Sequence, residues 1–158
     1  MAKESLITDE LRSKIGVEGE PRVYEIEKGM VKRFARAIDD PNPLWQDEEY
    51  AQKSKYGGII APPALIMALG WEEFAAEISY GQAVLHSGTE LEYYQPVRAG
   101  DTIAITNKLV DVRGRQNQRL GNMLFLTYER TYRNQRRELV AKCRQKLVSY
   151  KTKGAKHD

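Results

Sequence analysis

Two histidines, one cysteine and a proline-stiffened acidic loop hold most of the chemistry open to this 158-residue chain. The loop reads Asp39-Asp40-Pro41-Asn42-Pro43-Leu44-Trp45. An aspartate with an ordinary pKa of about 3.9 is a weak base at neutral pH. The indole of Trp45 donates a hydrogen bond and accepts none. Asp40 ahead of Pro-Asn-Pro also fits plain turn chemistry, because Asp and Asn side chains bond backbone two residues on. His86 is the one histidine outside the polar tail that holds His157. Both a packing or hydrogen-bonding role and a proton-transfer role are open to it. Cys143 has no electropositive helix terminus near it in sequence, so it reads as a buried strand residue. No His, Cys, Asp and Glu spacing fits a metal site. Gly57-Gly58-Ile59-Ile60-Ala61 is too short and wrongly placed for a dinucleotide-binding turn. Neither a metal nor a cofactor is expected.

These residues need a scaffold, and the periodicity supplies one. Residues 8–15 predict a short helix with Thr8 as N-cap, followed by punctuation at Gly16 and Gly19. Residues 22–27 alternate as a strand. Over 29–39, Met30, Val31, Phe34, Ala37 and Ile38 form one helical stripe, and Pro41 and Pro43 end that helix near Asp39. A second short helix is expected over 47–55. Gly57 and Gly58 then lead to Pro63, which suits a first helical turn. Ala64 to Trp71 are apolar on every side, the mark of a buried helix, and the pattern turns amphipathic from Glu72. Residues 85–95 alternate with Leu85, Leu91 and Tyr93 on one phase, and 102–112, 122–133 and 138–150 read as long antiparallel strands. The result is an α+β fold, a curved antiparallel sheet wrapped around a long buried central helix. Residues 1–150 form one domain, and 151–158 a polar basic tail.

Apolar residues make up 41% of the chain, enough for a core, and charged residues 30%. No apolar run approaches the roughly 20 residues of a membrane span, and the polar N-terminus does not read as a secretory signal. A cytoplasmic protein is expected, and a single cysteine agrees with a reducing compartment. The net charge is +3, with basic residues gathered late at Arg113, Arg115, Arg119, Arg130, Arg133, Arg136 and Arg137. Acidic residues are interspersed and no nucleic-acid motif accompanies them, so no nucleic-acid partner is expected. A rim for an anionic ligand and a merely solvated hairpin face both remain open.

The loop resembles that of the (R)-specific enoyl-CoA hydratases of the MaoC-like family, G-D-x-N-P-[LIV]-H-x-D. Asp40, Asn42, Pro43, Leu44 and Asp47 match; Asp39 replaces the glycine and Trp45 the histidine. GGIIAPPAL resembles the family's approach to its central helix. LHSGTELEYYQPVRAGD resembles its H-x-G-x-E strand and P-[VL]-x-x-G-D turn. TYERTYRNQRRELVAKCRQ resembles the last hairpin of the N-terminal dehydratase subfamily. Together these pieces cover most of residues 20–150.

The resemblance implies a hot dog fold and the handling of an acyl thioester. Family members add water reversibly across a trans-2-enoyl thioester, with a His–Asp pair as acid and base and helix N–H groups polarising the carbonyl. It places Asp40 at the aspartate position and gives Asn42 a role in orienting the loop or the water. Trp45, Ala61, Pro62 and Ala64 would frame the substrate, with Ala61 or Ala64 supplying any N–H donor because the prolines lack one. Trp45 cannot replace the histidine's chemistry. The resemblance therefore implies an acyl-thioester-binding subunit, taking acyl-CoA or an acyl-carrier-protein thioester and paired with a histidine-bearing MaoC-like subunit. A self-sufficient hydratase using Asp40 with His86, and a non-catalytic acyl-CoA-binding module, are the alternatives. An open sheet edge implies a homodimer or a heteromer in each case.

Overall fold

The computed structural model describes residues 7–71, 83–118 and 121–150. Five strands, β1 (Arg22–Glu25), β2 (Ala83–Tyr93), β3 (Thr102–Asn117), β4 (Gly121–Arg133) and β5 (Leu139–Tyr150), form one sheet in the order β1-β3-β4-β5-β2. Every pairing is antiparallel. Five short helices, α1 (Asp9–Ser13), α2 (Lys28–Ala37), α3 (Pro43–Gln46), α4 (Glu48–Lys53) and α5 (Leu65–Ala68), complete the described chain.

Alternation decides which sheet face is covered. Ile103, Ile105, Tyr132, Ala141 and Cys143 point one way and pack with Val31 and Ala35 of α2, Trp45 of α3, Ala51 of α4, and Leu65 and Ile66 of α5. Leu109, Val112, Leu126, Tyr128 and Leu147 continue that face and receive Leu11 of α1. The opposite face carries a row of paired charges in which Glu129 lies between Lys108 at 3.5 Å and Arg144 at 2.9 Å. Their cross-strand register makes them direct neighbours.

The helix starts follow capping chemistry. Thr8 accepts the Leu11 N–H at 3.2 Å, as expected. The expected stripe of α2 is narrower than it reads: Val31 and Ala35 are buried, while Ala37 and Ile38 are exposed. The cause is an early stop. Asp39 N–H bonds Arg36 O and Asp40 N–H bonds Ala35 O, a Schellman cap that turns the chain away after Ala37. Asp39 sits at φ 53, the left-handed position that glycine usually fills.

Two further expectations are corrected. Leu85 is out of phase with Leu91 and Tyr93, because a bulge between His86 and Gly88 inserts Ser87. Leu91 therefore packs on the core while Leu85 faces away, 54% exposed. The apolar run from Ala64 to Trp71 is not one continuous helix: Leu65–Ala68 are helical, Leu69 is extended, and Trp71 is helical again. Gly70 follows at φ 63. Buried Arg130 fixes this break, donating from Nη2 to Leu69 O and from Nη1 to Met67 O. The continuation from Glu72, and the tail 151–158, lie outside the described residues.

Candidate functional site

The Asp40 loop is built from its own polar side chains. Asp40 Oδ1 accepts the Asn42 N–H at 3.0 Å, and Asn42 Oδ1 accepts the Leu44 N–H at 3.0 Å. Asn42 thereby caps α3, whose first residue is Pro43. Trp45 Nε1 donates to Asp40 Oδ2 at 2.9 Å, and Gln46 Nε2 donates to Asp40 O at 2.8 Å. Both carboxylate oxygens thus serve as acceptors inside the loop. The indole is buried to 8% exposure and its other edge faces a cleft.

That cleft has a volume of about 300 Å3. Trp45, Tyr56, Ala61 and Pro62 form one wall, and Tyr93, Tyr94 and Val97 the other. Tyr93 Oη donates to Pro63 O at 2.8 Å, tying the end of β2 to the turn that starts α5. Burial, with a smaller contribution from Cys143, pushes the Tyr93 phenol up. The hydrogen bond to Glu92 is the main cause raising Tyr94. Both phenols stay protonated at neutral pH. Among the described residues, none of the side chains lining the cleft is a carboxylate, imidazole or amine. The cleft can enclose an apolar group and donate hydrogen bonds, but it holds no group suited to take a proton at pH 7.

The expected N–H donors separate. Ala61 N–H is spent on Val97 O at 2.8 Å, and so is unavailable. Ala64 N–H makes no hydrogen bond among the described residues, but Ala64 follows the cleft-lining Pro62 and Pro63 without itself lining the cleft. His86 is exposed on β2 with Nε2 2.7 Å from Thr89 Oγ1, and it does not line the cleft. The structure thus joins Asp40, Asn42 and Trp45 in one loop and sets Trp45, Ala61 and Pro62 around one cavity, while His86 stays apart. The opposite wall of Tyr93 and Tyr94 was missed by sequence reasoning. Its signal is the aromatic pair immediately before Gln95-Pro96. Two cations contact Tyr56, which lines the cleft: Lys55 Nζ lies 5.1 Å from its ring centre, and Arg98 donates to its carbonyl oxygen. Among the described residues no group of three His, Cys, Asp or Glu side chains could hold a metal ion, and no helix is long and apolar enough to cross a membrane.

A five-stranded antiparallel sheet in this order, with short helices on one face and a cleft beside α5, defines a hot-dog-fold protein. The family described as FAS1-like, dehydratase domain region, matches residues 13–143, and the chain belongs to this MaoC-like dehydratase family. A probable enoyl-CoA hydratase alpha subunit from Thermomonospora curvata is 28% identical over 155 residues, covering 85% of this chain and 49% of the relative. The chain thus spans about half the length of that relative. The MaoC-like dehydratase from Rhodospirillum rubrum superposes with a TM-score of 0.71 at 24% identity, covering 87% of this chain and 93% of that one. A chain of the C-terminally truncated HadBC (3R-hydroxyacyl-ACP dehydratase) complex from Mycobacterium tuberculosis superposes with a TM-score of 0.72 at 20% identity, covering 90% and 99%. Both likenesses show the same fold.

Proposed function

We propose that this chain is the acyl-thioester-binding subunit of an enoyl-CoA hydratase or 3-hydroxyacyl dehydratase, and that catalysis requires a histidine-bearing partner subunit. The observation that carries the reading is the Trp45–Asp40 hydrogen bond at 2.9 Å. It occupies the Asp40 carboxylate and puts a pure donor where the resemblance places an acid–base histidine. The cleft itself suits an acyl group: apolar, partly enclosed and lined with neutral side chains. Ala64 N–H, next in sequence to the cleft-lining Pro63, is the expected donor left uncommitted among the described residues to polarise a thioester carbonyl. Lys55 and Arg98, in contact with the cleft-lining Tyr56, suit the anionic carrier, coenzyme A or acyl carrier protein.

A partner would be received at β2. This strand is one of the two sheet edges, β1 being the other, and it exposes Val84, Leu85 and Tyr93, with Tyr94 following. Exposed apolar edges are normally covered. The names of the compared proteins, an alpha subunit and a two-component dehydratase complex, support a heteromer. The test is reconstitution. The chain is co-expressed with a histidine-bearing MaoC-like subunit, and hydration of trans-2-enoyl-CoA is followed alongside light scattering. A heteromer with turnover that neither subunit shows alone is expected. Equal turnover by the partner with and without this chain would overturn the proposal.

A further inference from the structure

On the sheet face away from the helices, β3, β4 and β5 border a groove of about 600 Å3. Asp111, Arg113 and Arg115 reach it from alternate positions of β3, Phe125 and Thr127 from β4, and Lys146 from β5. Their neighbour Val112 points to the buried side, which fixes the groove on the opposite face. We propose that this groove binds a ligand carrying a phosphate chain on a flat ring, the nucleoside-diphosphate class, at a site separate from the apolar cleft.

Charge selects the phosphate. Two residues apart on one strand, Arg113 and Arg115 stand roughly 7 Å from one another on the same face. Arg113 pairs with Asp111 at 2.8 Å, which neutralises the one carboxylate lining the groove. Lys146 pairs with Glu90. The Arg115 guanidinium makes no hydrogen bond or ion pair with any described residue. Elsewhere on this face Lys108 and Arg144 share the Glu129 carboxylate. Thr127 adds a hydroxyl and Ser87 a second, whose Oγ donates to Lys146 O at 2.9 Å.

Shape selects the ring and a compact ligand. Phe125 is the aromatic ring among the groove's lining residues and can stack on a flat ring, Gly114 beside it carries no side chain, and the volume lies within the roughly 300–1,000 Å3 of small-molecule sites. Two bulges bracket it. The row Asp111–Thr127–Lys146–Gly88 lies between the extra residue Val110 on β3 and the extra residue Ser87 on β2. Bulges re-aim side chains and recur beside functional sites. Ser87 and Tyr93 are six residues apart on β2, roughly 20 Å, so groove and cleft are distinct places. The inference does not rest on the hydratase reading, since it requires neither turnover nor a partner.

The experiment is calorimetric titration of the full chain at low salt with ADP, inorganic pyrophosphate and coenzyme A. ADP is expected to bind more tightly than pyrophosphate, and Arg115→Gln and Lys146→Gln are each expected to weaken it about tenfold. Lys53→Gln removes the same charge from distant α4 and is expected to change nothing. Coenzyme A binding far more tightly than ADP, with the same dependence on Arg115, identifies the nucleotide end of a thioester carrier. Coenzyme A binding no better identifies a free nucleotide. Absence of ADP binding at about 1 mM, affinity unchanged in Arg115→Gln, or equal weakening in Lys53→Gln would overturn the proposal. So would pyrophosphate binding as tightly as ADP.

Discussion

The indole Nε1 of Trp45 donates to Oδ2 of Asp40 at 2.9 Å, across five residues of a loop that Asp40 also closes by accepting the Asn42 N–H. The carboxylate is a structural acceptor here. Hydrogen bonds to a charged group contribute about 1.5–3 kcal/mol, and the half-buried position of Asp40 favours the lower end. Trp45→Phe is expected to destabilise the chain by about 1.5 kcal/mol from this bond alone. A double-mutant cycle with Asp40→Ala, read by urea denaturation, should return a coupling of similar size. Additive effects would show that the bond contributes nothing.

Asp39 occupies a left-handed cap at φ 53. Asp39→Gly removes the Cβ penalty of that conformation and is expected to stabilise the fold by about 1 kcal/mol, seen as a higher Tm. A lower Tm would mean that the Asp39 side chain makes a compensating contact.

Gly70 is constrained twice. Its φ is 63, and a Cβ there would lie 2.6 Å from the Tyr24 hydroxyl. Gly70→Ala is expected to cost about 2–4 kcal/mol, combining backbone strain with overpacking. Tyr24→Phe in the same chain should recover part of that loss, because it removes the atom in the way. Full additivity in denaturant melts would place the strain in the backbone alone.

Glu48 braces α2 against α4 through Lys28 at 2.8 Å and Lys32 at 2.9 Å. The hydrogen bonds from these two lysines hold its carboxyl down at about 2, from 4.5. A depressed carboxylate stabilises the fold above its unfolded pKa, and that contribution disappears as pH falls from about 4.5 through about 2. Urea midpoints measured down this range should fall more steeply for the native chain than for Glu48→Gln. Added salt should narrow the difference, since the pairs are exposed.

Sheet, helix starts and loop were legible because each rests on local chemistry. Thr8 caps α1 as expected, a helix follows Asp47, and alternation marks β3 to β5, whereas α3 and its Asn42 cap were not among the expected elements. Where reading failed, a single residue changed the register or used up a group from a distance. Ser87 is an ordinary strand residue until its bulge turns Leu85 outward. Gly70 sits in an apolar run that reads as helix until Arg130, sixty residues later, takes the Leu69 carbonyl. Ala61 loses its N–H to Val97, another long-range partner. The Trp45–Asp40 bond joins two residues that sequence reading considered separately, one as a departure from a family pattern and one as a turn former.

The central claim is that a thioester-binding cleft exists in this chain without an acid–base group of its own. The direct measurement is loss of the enoyl-thioester absorbance when the purified chain alone meets a panel of trans-2-enoyl-CoA substrates, with binding recorded in parallel. Binding without turnover across the panel is the predicted result. Clear turnover, abolished by Asp40→Asn, would contradict the account and show that the carboxylate escapes its tryptophan to do chemistry.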